Sequence, residues 1–232
     1  MEIIALIIAG GIGSRMGQAI PKQFLTVYDK PIIAYTMEKF ENHPVIDAIA
    51  VVCLDGWEHI LESYAKQYKI TKLKHIFPAG AVGQESIKNG IMGLAKFYDD
   101  DAIVLIHDAI RPNLSKDIIS DCIDMTKQYG NAIVCIPCQE AMLETQDKIC
   151  SESSYPRDNL KRTQTPQGFK LGIIKNAHIK AAELGITNSI ASCTLMIEVG
   201  EKVFFSMGSE KNIKLTTLED MEIFKALLDG NK

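Results

Sequence analysis

The feature that most constrains the fold is an alternation of short apolar runs with segments of helical periodicity. This order is typical of a parallel β-sheet covered by helices on both faces. The predicted strands are residues 3–9, 46–53, 73–77, 102–107, 131–136 and 202–206. The predicted helices are residues 31–41, 56–67, 84–98, 116–129, 171–183 and 217–228. We therefore expect an α/β, Rossmann-like fold with a mostly parallel mixed sheet flanked by helices, in a single domain over residues 1–232.

One stretch, residues 138–165, interrupts this alternation. It is polar, contains Pro156 and shows neither a long helical face nor a long apolar run. An irregular segment of this length inside a compact domain is usually functional. We expect it to form a protruding, hairpin-like β-arm that leaves the sheet and returns to it.

Composition narrows the classes of function. The 232 residues carry 25 basic and 29 acidic side chains, a formal net charge of −4, which argues against a general nucleic-acid binder. No window approaches the roughly 18 uninterrupted apolar residues of a membrane-spanning helix. The six cysteines are dispersed, several of them in apolar runs, which favours a reduced, cytoplasmic setting. Arginine is scarce enough for its positions to be informative: Arg15, Arg111, Arg157 and Arg162.

A glycine-rich segment, residues 9–17, directly follows the first predicted strand. α/β folds place their ligand crevice there, and glycines let backbone amides approach an anion closely. Arg15 adds a forked donor suited to phosphate oxygens. A dinucleotide-binding fingerprint would need its third glycine where Met16 stands, and would open a helix at once. The loop instead continues to Lys22, which favours a triphosphate over the cofactor of a nicotinamide-dependent oxidoreductase.

The same segment resembles the signature of the cytidylyltransferases that make CDP-methylerythritol and CDP-ribitol. The matching residues are Gly10-Gly11-Ile12-Gly13-Ser14-Arg15-Met16, followed by Pro21-Lys22-Gln23-Phe24-Leu25. Three later stretches agree in order: His107-Asp108-Ala109-Ile110-Arg111-Pro112, Thr165-Pro166-Gln167 and Asn212-Ile213-Lys214-Leu215-Thr216. Together these matches span nearly the whole chain, which would then be one nucleotidyltransferase domain.

The resemblance implies transfer of CMP from CTP to a small alditol phosphate, which gives a CDP-alditol and pyrophosphate. No catalytic base is required, because a phosphate monoester has its second pKa near about 6 and is largely deprotonated at neutral pH. The reaction instead needs cations around the α-phosphorus. By resemblance, Arg15, Lys22 and Lys214 are the catalytic groups that hold the triphosphate and stabilise the transition state.

The remaining matches imply binding roles. Asp108, just past a predicted strand, would bind Mg²⁺ or another divalent cation together with substrate phosphates. Arg111 and, on the arm, Arg157 would grip the alditol phosphate, and Thr165 is also expected at the substrate. In the family the arginine on the arm comes from a neighbouring subunit, which implies a homodimer with composite sites. The residues expected to contact the nucleotide are Ala9, Gly10, Gly11, Gly13, Gly80, Ala81 and Ser86.

Three departures from the family pattern bear on the substrate. Gly83 stands where the family commonly has arginine, beside the expected nucleotide pocket. The arm opens with Glu140-Ala141 in place of an Asp-Thr pair, and residues 187–192 lack the family's carboxylate. From the arm and residues 187–192 we expect ribitol 5-phosphate or a similar polyol phosphate as the acceptor, ahead of 2-C-methyl-D-erythritol 4-phosphate. The alternatives are a nucleotidyltransferase for another base, a non-catalytic nucleotide-binding paralogue and a nicotinamide-dependent oxidoreductase.

Overall fold

The computed structural model describes residues 1–11 and 20–230. Its strands are β1 (Ile3–Ala9), β2 (Thr26–Val27), β3 (Lys30–Pro31), β4 (Ala48–Cys53), β5 (Leu73–Pro78), β6 (Ile103–Asp108), β7 (Asn131–Pro137), β8 (Met142–Glu144), β9 (Ser153–Tyr155), β10 (Lys161–Lys170) and β11 (Phe205–Met207). Its α-helices are α1 (Ile32–Glu41), α2 (Glu58–Gln67), α3 (Gly83–Leu94), α4 (Lys116–Tyr129), α5 (Leu171–Glu183), α6 (Ser192–Glu198) and α7 (Leu218–Asp229). Within these residues, no helix is both long and apolar enough to cross a membrane.

Seven of the described strands form one sheet in the order β11-β7-β10-β6-β1-β4-β5. β10 runs antiparallel to both of its neighbours, and the other neighbouring pairs are parallel. The expected mostly parallel mixed sheet is therefore confirmed. Because β1 lies between β6 and β4, it is an interior strand, and its carboxyl end lies at the edge of the sheet where α/β folds bind ligands.

Alternate residues of β1 pack into two different cores. Ile3, Ala5 and Ile7 face one core, which takes apolar side chains from α1, α2 and α4. Ile4 and Leu6 face the other core, together with side chains from α3, α5 and α6. A strand covered on both faces has no polar side, which explains why β1 is a continuous apolar run in the sequence.

The antiparallel strand β10 corrects the predicted extent of the arm. Its first residues, Lys161–Thr163, are exposed and polar, so no apolar run marks them as a strand. They nevertheless pair with Cys135–Pro137 at the end of β7. Residues 161–165 therefore belong to the sheet, and the predicted arm over residues 138–165 is too long at its second end. The short helix α6 is also absent from the sequence prediction.

The arm carries a two-stranded antiparallel hairpin formed by β8 and β9. Every residue from 139 to 159 is exposed. At the hairpin turn, the Asp147 carboxylate accepts hydrogen bonds from the backbone N–H groups of Cys150 (3.0 Å) and Ile149 (2.9 Å), which lower the pKa of Asp147. The hairpin is thus ordered by its own turn and not by burial against the sheet.

Candidate active site

A cavity of about 240 Å³ opens at the carboxyl ends of β1 and β6, next to the N-terminus of α3. It is lined by Ile8, Ala9, Gly10, Gly11, Lys22, Gln23, Gly80, Ala81, Val82, Gly83, Ser86, Asp108, Ala109, Ile110 and Lys214. A larger cavity of about 540 Å³, near Tyr129 and Phe204, contains none of the residues predicted for the site. The smaller cavity occupies the position at which an α/β sheet binds its ligand.

The fold brings nine of the predicted site residues into the lining of this cavity: Ala9, Gly10, Gly11, Lys22, Gly80, Ala81, Ser86, Asp108 and Lys214. Gly13 and Arg15 lie outside the described residues. Arg111 and Thr165 stand behind the cavity wall, in contact with Asp108. Arg157 is on the arm. The cavity therefore gathers six of the seven predicted nucleotide contacts, one carboxylate and two lysines.

Gly10, Gly80 and Ser86 form one side of the cavity, which we call the nucleotide side because the predicted nucleotide contacts lie there. This side depends on close backbone packing. A Cβ atom at Gly10 would lie 2.6 Å from the Cβ of Ala79, so the close approach of these two segments requires glycine. The Gly80 N–H donates to the hydroxyl of Ser86 at 2.9 Å. The buried Ser86 side chain therefore supports the loop in front of α3, in addition to lining the cavity.

Asp108 is the centre of a charged cluster. Its Oδ2 atom lies 3.1 Å from Lys214 Nζ and 3.1 Å from Arg111 Nε. Burial alone would raise the pKa of the Asp108 carboxyl, but the positive charges of Lys214 and Arg111 outweigh it and hold the pKa below its ordinary value. Asp108 is therefore ionised at neutral pH, and it orients the ammonium group of Lys214 beside the cavity.

Arg111 packs behind Asp108. Only 12% of its side chain is exposed. Its Nε atom donates to Asp108, and its Nη1 atom donates to the carbonyl oxygen of Asn212 at 2.8 Å. Arg111 thus connects the end of β6 to the segment that carries Lys214. This supporting role comes from the chain itself and does not need an acceptor phosphate.

His107 and Thr165 hold the backbone of Asp108. The Asp108 N–H donates to Thr165 Oγ1 at 3.1 Å, and the Thr165 hydroxyl donates to His107 Nδ1 at 3.0 Å. His107 Nε2 donates to the carbonyl oxygen of Arg111 at 3.1 Å, so the ring proton is assigned to Nε2 from this network. Burial lowers the pKa of His107 to about 4, which keeps the ring neutral. Both side chains therefore support the site from behind.

Two buried amide side chains to which sequence reasoning assigns no role belong to the same region. Gln23 donates to the carbonyl oxygens of Ala9 and Gly11. Asn212 donates from Nδ2 to the carbonyl oxygen of Thr165 at 2.8 Å. A hydrogen bond from a side-chain amide to a backbone carbonyl produces no recognisable charge pattern or spacing in a sequence. The one sequence feature that points to Gln23 and Asn212 is that both lie inside matched motifs.

The arm arginines have different surroundings. Arg157 is exposed, and its Nη1 atom donates to the carbonyl oxygen of Gln139 at 3.0 Å. Arg162, near the start of β10, pairs with Glu140 at 3.3 Å and also with Glu210. Arg162 therefore ties the base of the arm to the loop after β11, whereas Arg157 stays at the surface, away from the cavity of its own chain.

A divalent cation would find one protein carboxylate in this cavity. The described residues contain no group of three or more His, Cys, Asp or Glu side chains that could hold a metal ion. Among the described lining residues, Asp108 is the single carboxylate. One ionised carboxylate beside a phosphate site fits Mg²⁺ that is held mainly by substrate phosphates, and does not fit an all-protein cage.

The family model "IspD: 2-C-methyl-D-erythritol 4-phosphate cytidylyltransferase" matches residues 3–230. The chain is 39% identical to the ribitol-5-phosphate cytidylyltransferase of Lacticaseibacillus paracasei, over 97% of each chain. It is 36% identical to the 2-C-methyl-D-erythritol 4-phosphate cytidylyltransferase of Clostridium botulinum, over 97% of this chain and 96% of that one. The crystal structure of the Francisella tularensis IspD superposes with a TM-score of 0.78 and 28% identity, covering 97% of this chain and 99% of that one. The chain therefore belongs to the IspD family and is a CTP-dependent cytidylyltransferase.

Proposed function

We propose that the protein transfers CMP from CTP to ribitol 5-phosphate, which gives CDP-ribitol and pyrophosphate. The observation that carries the transfer chemistry is the cavity in which Lys22, Asp108 and Lys214 stand beside Gly10 and Gly11. Backbone amides at the end of β1 and two lysines suit the triphosphate. The ionised carboxylate suits a cation bound to that triphosphate.

The choice of acceptor is supported by the relatives and by one segment of the sequence. A relative named for ribitol 5-phosphate is 39% identical to this chain, and one named for 2-C-methyl-D-erythritol 4-phosphate is 36% identical. In residues 187–192, Asn188 stands where the family pattern has an aspartate. An acceptor that does not need that carboxylate is therefore favoured.

In the proposed reaction, an oxygen of the acceptor phosphate attacks the α-phosphorus of CTP. The bond from the α-phosphorus to the bridging oxygen breaks, and pyrophosphate leaves with that oxygen. Lys22 and Lys214 offset the negative charge that accumulates around the phosphorus, and Arg15 joins them as the resemblance implies. Because Asp108 already holds Lys214 at 3.1 Å, this lysine needs little reorganisation when substrate binds.

We assign the cation site to Asp108. Mg²⁺ bound there would neutralise phosphate oxygens and align the triphosphate for attack. The chain keeps Asp108 ionised through Lys214 and Arg111. Thr165 fixes its backbone. These residues hold the carboxylate ready for a cation that arrives with CTP.

The acceptor side of the site is proposed to be completed by a second copy of the chain. The arm exposes large apolar side chains, among them Leu143 at 66% and Ile149 at 88%. An isolated hairpin with exposed apolar residues is marginal on its own and typical of a protein–protein contact. In a homodimer, each arm would bury these residues on its partner and place Arg157 at the partner's cavity, where it would bind the acceptor phosphate together with Arg111.

A reducing, cytoplasmic compartment is supported by the cysteines. All six are unpaired, and Cys150 alone among them is exposed. Burial raises the pKa of the Cys53 and Cys122 thiols to about 12, which keeps them protonated and unreactive. We therefore place the reaction in the cytoplasm.

The test is a turnover assay with CTP, Mg²⁺ and a panel of acceptors: ribitol 5-phosphate, 2-C-methyl-D-erythritol 4-phosphate and other pentitol and tetritol phosphates. Pyrophosphate release reports the reaction, and mass spectrometry identifies the CDP product. We expect the highest kcat/KM with ribitol 5-phosphate. Release with 2-C-methyl-D-erythritol 4-phosphate alone would overturn the choice of acceptor. Calorimetric CTP binding with no pyrophosphate from any acceptor would instead indicate a nucleotide-binding paralogue without turnover.

A further inference from the structure

Gln23 is almost completely buried in the cavity wall, with 2% of its surface exposed. Its Nε2 atom donates to two backbone carbonyl oxygens, that of Ala9 at 2.6 Å and that of Gly11 at 3.0 Å. Both hydrogens of the side-chain amide are thereby used. The opposite orientation of the amide would place Oε1 against two carbonyl oxygens, so the two acceptors determine which atom is the nitrogen.

The two carbonyl groups flank Gly10, where β1 ends and the glycine-rich segment begins. A carbonyl oxygen carries partial negative charge and would repel a phosphate group placed beside it. Gln23 offsets that charge by donating a hydrogen bond to each oxygen. Because a trans peptide points its N–H opposite to its carbonyl, the bond to Ala9 also sets the direction of the Gly10 N–H.

The segment that carries Gln23 is anchored in the core. Phe24 is buried and stacks on Trp57 with 4.5 Å between ring centroids. Its N–H donates to the carbonyl oxygen of Pro21 at 2.8 Å. Lys22 lies in the same one-turn 3₁₀ helix, Lys22–Phe24. Gln23 therefore connects a fixed segment that carries a lysine to the end of β1.

We infer that Gln23 is a positioning residue for the triphosphate of CTP. It holds Ala9, Gly10 and Gly11 in register with Lys22, so that the backbone at the end of β1 and the ammonium group bind the same polyphosphate. This inference rests on the proposed function, in which the cavity takes the triphosphate. It predicts that Gln23 controls the binding of CTP and of pyrophosphate, and not the binding of the alditol phosphate.

The first test is Gln23→Met, which keeps the length of the side chain and removes both donors. We expect KM for CTP and the inhibition constant of pyrophosphate to rise about tenfold, the size expected for lost buried hydrogen bonds. KM for the acceptor at saturating CTP should not change. Asn131→Leu is the matched control, because Asn131 is a buried amide bonded to the backbone of Lys202 and Phe204, away from this cavity. It should lower Tm and leave both KM values unchanged.

A purely structural role for Gln23 gives a different result. Gln23→Met would then lower Tm as Asn131→Leu does and leave KM for CTP unchanged, which would overturn the inference. Gln23→Glu provides a second readout should the methionine variant not fold. Its KM for CTP should rise with pH more steeply than that of the wild type as the introduced carboxyl ionises, and a pH profile equal to the wild type would contradict the inference.

Lys22→Ala separates this inference from the proposed function. If kcat and KM for CTP are unchanged in Lys22→Ala, the cavity is not the triphosphate site, and the proposed function fails at its first step. If Lys22→Ala impairs CTP use and Gln23→Met does not, the site stands and the positioning role of Gln23 is wrong.

Discussion

The nucleotide side of the cavity and the arm are held in opposite ways. On the nucleotide side, Gln23 and Ser86 are buried and bonded to the backbone of neighbouring segments. On the arm, every residue from 139 to 159 is exposed, and order comes from the hairpin itself. The difference teaches that, on the proposed account, one chain preorganises the site for CTP by itself. On the proposed account, recognition of the acceptor depends on a second copy.

The largest effect is expected from Asp108→Asn on the nucleotide side. The change removes the charge that orients Lys214 and the carboxylate proposed for the cation, so kcat/KM should fall by about 10²–10³-fold, the size seen when a preorganised charged or polar group is removed from an active site. Steady-state pyrophosphate release measures the change. Asp101→Asn is the control, because Asp101 pairs with Lys170 at the surface and a surface ion pair contributes little. Equal activity in the two variants would contradict the role of Asp108.

His107 should make the free energy of unfolding sensitive to acid. The pKa of His107 is about 4 in the folded chain, whereas an unperturbed histidine titrates near about 6.5. The unfolded state therefore takes up a proton first, so the stabilisation is complete above pH of about 6.5 and is lost as the pH falls towards about 4, by about 3 kcal/mol in total. Asp108 also contributes to stability, because its pKa is lowered in the folded chain. That contribution is lost only at pH values below the range in which His107 acts.

Urea unfolding between about pH 7 and about pH 4 measures this dependence. His107→Asn should show a shallower loss of unfolding free energy than the wild type. His178, whose pKa burial also lowers to about 4, accounts for part of the remaining slope. His59→Asn is the control for the loss of a histidine, because the His59 side chain is fully exposed. A wild-type slope in His107→Asn would show that the His107 network does not titrate as described.

The smallest of these effects is expected on the arm. Arg157→Gln should raise KM for the alditol phosphate about tenfold, the value of one charge-assisted contact. KM for CTP should stay at the wild-type value, because in the proposed dimer Arg157 contacts the acceptor phosphate and not the triphosphate. Lys148→Gln, which removes one positive charge from the tip of the same arm, should change neither KM. An equal rise in KM for the alditol phosphate in both variants would show that Arg157 acts through its positive charge alone and not through a specific contact.

The predictable part of the fold is the part with strong local signals. α4 has the predicted limits because Ser115 accepts a hydrogen bond from the Ile118 N–H at its start, and Gly130, with φ of 84°, ends it. The sequence does not predict β10, because its first residues are polar and its strand character comes from pairing with β7. Such pairing depends on where the chain returns, which local periodicity does not encode.

The candidate site also has a part that the sequence predicts and a part that depends on contacts between distant residues. Lys22, Asp108 and Lys214 could be predicted because each lies in a motif with a charge suited to phosphate chemistry. The hydrogen bond from Arg111 to the carbonyl oxygen of Asn212 joins residues 101 positions apart. No sequence motif predicts this bond. The resemblance predicts Arg111 at the acceptor. In the structure its side chain is largely enclosed behind Asp108, where the ion pair and the carbonyl bond use two of its five N–H donors.

The most direct test of the account is the activity of a mixed dimer. Lys22→Ala and Arg157→Gln chains, co-expressed with different tags and purified over both, would yield dimers containing one of each. If each arm serves its partner's cavity, one site in every mixed dimer has an intact Lys22 and the partner's Arg157. At low acceptor concentration we then expect about half of the wild-type rate, above the mean of the two parent variants. A rate equal to that mean would show that Arg157 does not act across the dimer and would contradict the account.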